Sequence, residues 1–125
     1  MKVLNKVLSS VAIAAALFST SVLAETSAEK KVKPADAIEI AVKKGDEALA
    51  ALKSGASADE VIKLIKETSE STGEIFSNYK TDKARDTAII HLKAVRTKLK
   101  EGQTTEAQEG LEKAIQEIKD LKNTI

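Results

Sequence analysis

Hydrophobic residues recur at steps of three and four from residue 34 to the end of the chain, which is the spacing of one face of an α-helix. The pattern breaks near residues 54–57, 78–82 and 102–105, and it therefore predicts four amphipathic helices. Apolar and polar residues nowhere alternate for long enough to predict a strand. Four helices joined by short loops predict an all-α, up-down-up-down four-helix bundle over residues 34–125.

Each predicted helix has one stripe of apolar or small residues, and we expect these stripes to form the core. The stripes of the first and second predicted helices are Ile38, Ala41, Val42, Gly45, Ala48, Leu49 and Leu52, and Val61, Leu64, Ile65, Thr68, Thr72, Ile75, Phe76 and Tyr79, respectively. The stripe of the third helix is Ala84, Ala88, His91, Leu92, Val95 and Leu99. The stripe of the fourth helix is Ala107, Leu111, Ala114, Ile115, Ile118, Leu121 and Ile125. Gly45, Gly73 and Gly110 fall inside predicted helices, where glycine costs about 1 kcal/mol relative to alanine. We expect them to allow close approach between helices.

The predicted helix ends carry the usual local signals. Pro34 suits the first turn of a helix, and Gly55 suits the left-handed position that follows a helix. Ser57 is the expected N-cap of the second helix, three residues before Glu60. The expected N-caps of the last two helices are Thr81 or Asp82, and Thr104 or Thr105.

The turn between the first two helices resembles the turn between the last two. The segment Leu52–Ser57 matches Leu99–Thr104 at a spacing of 47 residues, and Leu64 matches Leu111 at the same spacing. Two interpretations remain open. In the first, the chain consists of two duplicated helical hairpins. In the second, Leu-Lys-x-Gly followed by Ser or Thr is simply a favourable way to end one helix and begin the next.

The first 24 residues have the order of charge and hydrophobicity that is typical of a secretory signal peptide. Lys2 and Lys6 precede an apolar segment at 7–18, and small residues lead to Ala24. The apolar segment is shorter than the roughly 20 residues that span a bilayer. We predict cleavage after Ala24, a flexible polar leader at 25–33, and a periplasmic or secreted protein; the alternative is a retained N-terminal anchor.

Charge and composition exclude several classes of partner and site. The chain has 20 Lys and Arg against 19 Asp and Glu, and loss of Lys2 and Lys6 with the signal changes the formal charge from +1 to −1. This near-neutral charge predicts no nucleic-acid partner and, after signal removal, no stable membrane insertion. The chain has no cysteine, which excludes disulfides, thiolate metal sites and thiol catalysis. Phe76 and Tyr79 are the only aromatic residues after the signal, so the core is predicted to be aliphatic.

The sequence offers no recognisable catalytic machinery. It has one histidine, no glycine-rich phosphate loop, and serines that occupy caps, loops and the signal. No haem is expected, because the chain lacks the Cys-x-x-Cys-His motif and its only methionine, Met1, leaves with the signal. We therefore expect a protein that is not an enzyme.

His91 is the one strong neutral metal ligand in the sequence, and it is the candidate metal-binding residue. Its neighbours on the same helix face are poor ligands, so a site needs carboxylates from another helix. The alternative interpretation is a histidine packed at the edge of the core. Glu67, Glu70 and Glu74 lie along one side of the second helix, where they form either a weak cation site or an ordinary solvated acidic face.

The segment Ile90–Val95, the turn Leu99–Gln103 and the last helix, Glu109–Lys122, give the chain a recognisable pattern. In these features it resembles the small metal-binding protein family of the bacterial periplasm, as a histidine-poor, divergent member. Proteins of that family carry signal peptides, lack cysteine and fold as four-helix bundles built from two hairpins. The resemblance implies a metal-binding role, with copper or nickel as the expected ion and His91 as its ligand.

Two functions follow as expectations. The first is a non-catalytic, exported helical bundle that binds or sequesters a metal ion weakly in the periplasm. The alternative is a protein-interaction or envelope-stress accessory domain without a metal, whose partner is another envelope protein. The metal-binding function predicts that carboxylates converge on His91, whereas the interaction function predicts an exposed apolar patch around Phe76, Tyr79, Ile89 and Ile90.

Overall fold

The computed structural model describes residues 32–125, so the predicted signal at 1–24 and most of the leader lie outside the described residues. The described chain forms α1 (Pro34–Lys53), α2 (Ala58–Gly73), α3 (Tyr79–Lys100) and α4 (Thr104–Asp120), followed by a 3-10 turn at Leu121–Asn123. Residues 32–125 contain no β-strand. Each helix packs against the next along the chain, and α4 also packs against α1, which closes an all-α four-helix bundle. The predicted fold class is confirmed.

The core is aliphatic, as the composition predicted, and Thr68, Thr72 and Thr81 are the buried polar residues within the described chain. Thr68 and Thr72 satisfy their hydroxyls by donating to backbone carbonyls one turn earlier, at 2.8 and 2.7 Å. Several predicted core residues lie instead at its edge and are only half-buried. These are Val42, Leu49, Leu64, Ala84 and His91.

The turn between α2 and α3 differs from the prediction. α2 ends at Gly73, and the chain bends so that Ile75 still reaches the core while Phe76 is 64% exposed. Tyr79 begins α3 and is 78% exposed, so neither aromatic residue belongs to the core. Asn78 is the N-cap of α3, in place of Thr81 or Asp82, because its Oδ1 accepts the Thr81 amide at 3.0 Å.

Asn78 also fixes the end of the chain. Its Nδ2 donates to the Thr124 carbonyl at 2.6 Å, and the buried Thr81 hydroxyl lies 2.8 Å from the Thr124 hydroxyl. These bonds hold the last residues against the start of α3. Ile125 follows them and is 47% exposed. The prediction that Ile125 belongs to the core is therefore wrong.

The two other turns share one backbone geometry. Gly55 and Gly102 have φ angles of 86° and 78°, the left-handed region that glycine adopts at little cost. In each turn the amide after the glycine bonds to a carbonyl five residues earlier, Ala56 to Ala51 and Gln103 to Lys98. In each turn the glycine amide also donates to a carbonyl three residues earlier, Gly55 to Leu52 and Gly102 to Leu99. Two such bonds around one left-handed glycine form the Schellman motif.

The two hairpins bury corresponding positions, but the predicted spacing of 47 residues holds only for α1 and α3. Ala41, Gly45, Ala48 and Leu52 of α1 correspond at that spacing to Ala88, Leu92, Val95 and Leu99. In the second helices the spacing is 46, so that Val61, Ile65, Thr68 and Thr72 correspond to Ala107, Leu111, Ala114 and Ile118. The spacing is shorter by one residue because the two helices begin at different distances from their turn glycines. α2 begins at Ala58, three residues after Gly55, whereas α4 begins at Thr104, two residues after Gly102. Gln103 occupies the N-cap of α4 without a side-chain bond, so the predicted caps Thr104 and Thr105 are wrong.

Gly45→Ala should destabilise the domain by about 1 kcal/mol, although alanine favours a helix more than glycine does. A Cβ at this position would lie 2.8 Å from Ile115 Cγ1, and such overpacking costs about 1–3 kcal/mol. The gain in helix propensity is only about 1 kcal/mol. Gly73→Ala is the matched control, because the nearest side-chain atom there is Ile89 Cδ1 at 4.0 Å. Urea unfolding should show a lower stability for Gly45→Ala and an unchanged or higher stability for Gly73→Ala. An equal loss of stability in both variants would contradict the close approach of α1 and α4.

Candidate metal-binding site at His91

His91 of α3 pairs with a carboxylate of the neighbouring helix. Its Nδ1 lies 2.6 Å from Oε1 of Glu117 in α4, and the two side chains are 37% and 27% exposed. Both residues flank a buried stripe, next to Leu92 and Ile118 respectively. The pair therefore lies at the edge of the α3–α4 contact, open to solvent on one side.

The short contact determines how the imidazole is used. An ionised carboxylate can only accept hydrogen bonds, so Nδ1 carries the proton that is shared with Glu117. In the neutral ring, Nε2 then has the lone pair and can coordinate a metal ion. Histidines that bind metals commonly donate their other ring nitrogen to a carboxylate in this way, which fixes the ring and raises its basicity.

A shallow groove between α3 and α4 lies beside the imidazole. His91, Ala94 and Val95 line it from α3, and the groove has a volume of about 140 Å³. The α4 side includes Gly110, where a Cβ would lie 3.0 Å from Val95 Cγ2, so the missing side chain keeps the helices close. The charged residues of the groove are Lys98, Glu106 and Lys113.

The ligands at His91 fit a weakly bound ion. Glu117 is the one carboxylate found within bonding distance of His91, and residues 32–125 contain no group of three His, Cys, Asp or Glu side chains that could hold a metal. An ion on His91 would therefore keep water or other ligands in its remaining positions. Glu117 was not predicted as part of the site, although its spacing from Gly110 and Lys113 places it along the edge of the α4 stripe.

Glu67, Glu70 and Glu74 are the other carboxylates that the sequence offers as a candidate cation site. Glu67 is paired with Lys44 of α1 at 3.7 Å, and Glu74 lies beyond the last residue of α2. None of the three takes part in a metal-binding group within the described chain.

The exposed apolar residues expected for an interaction surface are present but separated. The Phe76 ring lies 5.0 Å from the Arg85 guanidinium, whereas the Tyr79 ring lies 6.0 Å from Lys83 Nζ. Ile90 is 62% exposed and lies eleven residues beyond Tyr79, about 16 Å along α3 at the helical rise of ~1.5 Å per residue. Ile89 is half-buried against α2.

None of the helices within residues 32–125 is long and apolar enough to cross a membrane. Comparisons of the chain with models of protein families, with curated proteins and with solved structures find no match.

Proposed function

We propose that the protein is a non-catalytic, exported helical bundle that binds a divalent transition-metal ion weakly through His91, with copper or nickel as the ion. Glu117 acts as the positioning residue that holds the imidazole. The proposed location is periplasmic or secreted, and it rests on the order of residues 1–24. The resemblance to the small metal-binding proteins agrees with both parts of the proposal.

The bond between His91 Nδ1 and Glu117 Oε1 carries the proposal. A histidine that merely packs at a core edge needs no carboxylate at 2.6 Å, whereas a metal-binding histidine gains a fixed orientation from one. Imidazole suits copper and nickel among the divalent ions. With a single imidazole, the affinity should be far below that of a site with several histidines.

Titration calorimetry of the exported chain with copper, nickel and zinc tests this function. His91→Ala should abolish binding with little loss of helicity, because the side chain is 37% exposed. Glu117→Gln should weaken binding by roughly tenfold, which is the lower range for loss of such a partner.

Glu112→Gln is the matched control for Glu117→Gln. Glu112 also lies on α4, but it pairs with Lys53 at 3.7 Å and makes no contact with His91. Its loss should leave the affinity unchanged. If His91→Ala binds metal as well as the parent chain does, His91 is a packed edge residue and the metal-binding function is wrong.

The second candidate is an interaction or envelope-stress accessory domain that recognises another envelope protein without a metal. The observation that favours it is the exposure of both aromatic side chains of the described chain, Phe76 and Tyr79. An unchanged affinity in His91→Ala, or no metal binding at all, would make this the preferred function.

A further inference from the structure

The face that α3 and α4 present to solvent carries opposite charges along its two sides. Shallow hollows follow the contact between the two helices. Besides His91, the charged residues that line these hollows from α3 are the lysines Lys80, Lys83 and Lys98. Those that line them from α4 are the carboxylates Glu106, Glu117 and Asp120 and the single lysine Lys113. The α3 side is therefore basic, and the α4 side is mainly acidic.

Contacts within the chain satisfy part of this charge. Lys98 Nζ lies 3.1 Å from Glu106 Oε2, and the Glu117 carboxylate is 2.6 Å from the His91 imidazole. These pairs occupy the half of the face that is remote from the turn between α2 and α3, together with its middle. The half nearer to that turn retains its charges.

Lys80, Lys83 and Asp120 are the charges that remain in that half. They take part in none of the ion pairs found among residues 32–125, and all three side chains are exposed. Ala84, the residue after Lys83, lines the same hollow as Asp120. Lys83 and Asp120 therefore lie at nearly the same level along the two helices, on opposite sides of the groove.

A second copy of the chain is complementary to this face. When two copies meet about a two-fold axis that runs along the groove, α3 of each copy lies over α4 of the other. This rotation preserves the level along the groove, so it brings Lys83 of each copy opposite the partner's Asp120. A lysine side chain is long enough to span the helical turn, about 5.4 Å, that separates their levels. A surface that is complementary to itself is the requirement for a two-fold dimer, in which every contact occurs twice.

The same face of α3 also exposes apolar side chains and has the area of a modest interface. Ile90 is 62% exposed and lies two helical turns after Lys83, and the exposed Ala94 follows one turn later. α3 has 22 residues and is therefore about 33 Å long. Two packed helices are about 20 Å wide, which gives a face of roughly 600 Å². A standard interface buries about 800 Å² on each partner, so this area predicts a weak and reversible dimer.

We propose that the α3–α4 face is a dimerisation surface of this chain, in which Lys83 of each copy pairs with the partner's Asp120 and the partner's α4 covers Ile90. The inference goes beyond the proposed function and requires no metal. Because the paired charges are exposed in the single chain, salt should weaken the dimer.

Sedimentation equilibrium of the exported chain tests the inference, with EDTA present so that no metal can bridge two copies. We expect a reversible monomer–dimer equilibrium at low salt. Lys83→Glu and Asp120→Lys should each weaken it by about tenfold or more, because each variant brings like charges together at two places in the dimer. A mixture of the two variants should dimerise nearly as strongly as the parent chain, because the introduced glutamate then faces the introduced lysine.

Lys43→Glu is the matched control, because it makes the same change of charge at an exposed lysine of another face. Lys43 lines the groove between α1 and α4, where Glu39, Lys43 and Asp46 alternate in sign along α1. This variant should dimerise as the parent chain does. A parent chain that stays monomeric, or a dimer that Lys83→Glu weakens no more than Lys43→Glu does, would overturn the inference. A mixture that dimerises no better than its two components would also overturn it, and circular dichroism of each variant excludes unfolding as the cause.

Discussion

Leu111→Asp is expected to prevent folding of the domain at ordinary temperature. Leu111 lies on the core side of α4 and is fully buried. Removing most of a buried leucine side chain costs about 2–5 kcal/mol, and a carboxylate in its place adds the cost of a buried, unpaired charge. The total approaches the roughly 5–15 kcal/mol that stabilises a domain of this size. Circular dichroism and urea unfolding should show an unfolded or severely weakened chain.

Leu64→Asp provides the matched comparison, because the apolar pattern predicts the same core position for Leu64 and Leu111. Leu64 is only half-buried, so its replacement can reach water and should cost much less. Ile65, which is fully buried, corresponds to Leu111 in the structure. Similar unfolding midpoints for Leu64→Asp and Leu111→Asp would contradict the observed core.

Arg85→Met should destabilise the domain by about 2–3 kcal/mol, because Arg85 fixes the turn between α2 and α3. Its guanidinium donates to the Ile75 carbonyl at 3.0 Å and lies within 3.1 Å of carboxylate oxygens of Asp82 and Asp86. A hydrogen bond from a charged group contributes about 1.5–3 kcal/mol, and the side chain is only 12% exposed, so water screens it little. Urea unfolding measures the loss.

Lys83→Met is the control for charge removal on α3. Lys83 is exposed, and its Nζ lies 6.0 Å from the Tyr79 ring, so its loss should change stability by less than about 0.5 kcal/mol. Amide exchange should accelerate in residues 74–78 of Arg85→Met and remain unchanged in Lys83→Met. Equal stability of the two variants would show that Arg85 does not fix the turn.

The candidate site was predicted only in part. His91 stood out because it is the single histidine of the chain, and its chemistry makes it a candidate ligand. Glu117 did not stand out, because it is one of many carboxylates on helix surfaces. Only the packing of α3 against α4 places its oxygen 2.6 Å from the imidazole.

The turn between α2 and α3 shows a second limit of the sequence pattern. Phe76 and Tyr79 continue the apolar spacing of α2, and periodicity alone therefore assigns them to the core. The helix nevertheless ends at Gly73, and Asn78 starts the next helix by capping the Thr81 amide. Their exposure depends on where Arg85 and the end of the chain meet this turn, and those contacts join residues that are distant in sequence.

The sequence by itself determined the four helices, the aliphatic core and the two glycine turns, because these depend on residues within one or two helical turns of each other. Apolar spacing sets a helix face locally, and a left-handed position favours glycine wherever it occurs. The tertiary structure decided the pairing of His91 with Glu117 and the close approach at Gly45. Each of these depends on how far one helix slides along another, which only the packing of side chains across the core can determine.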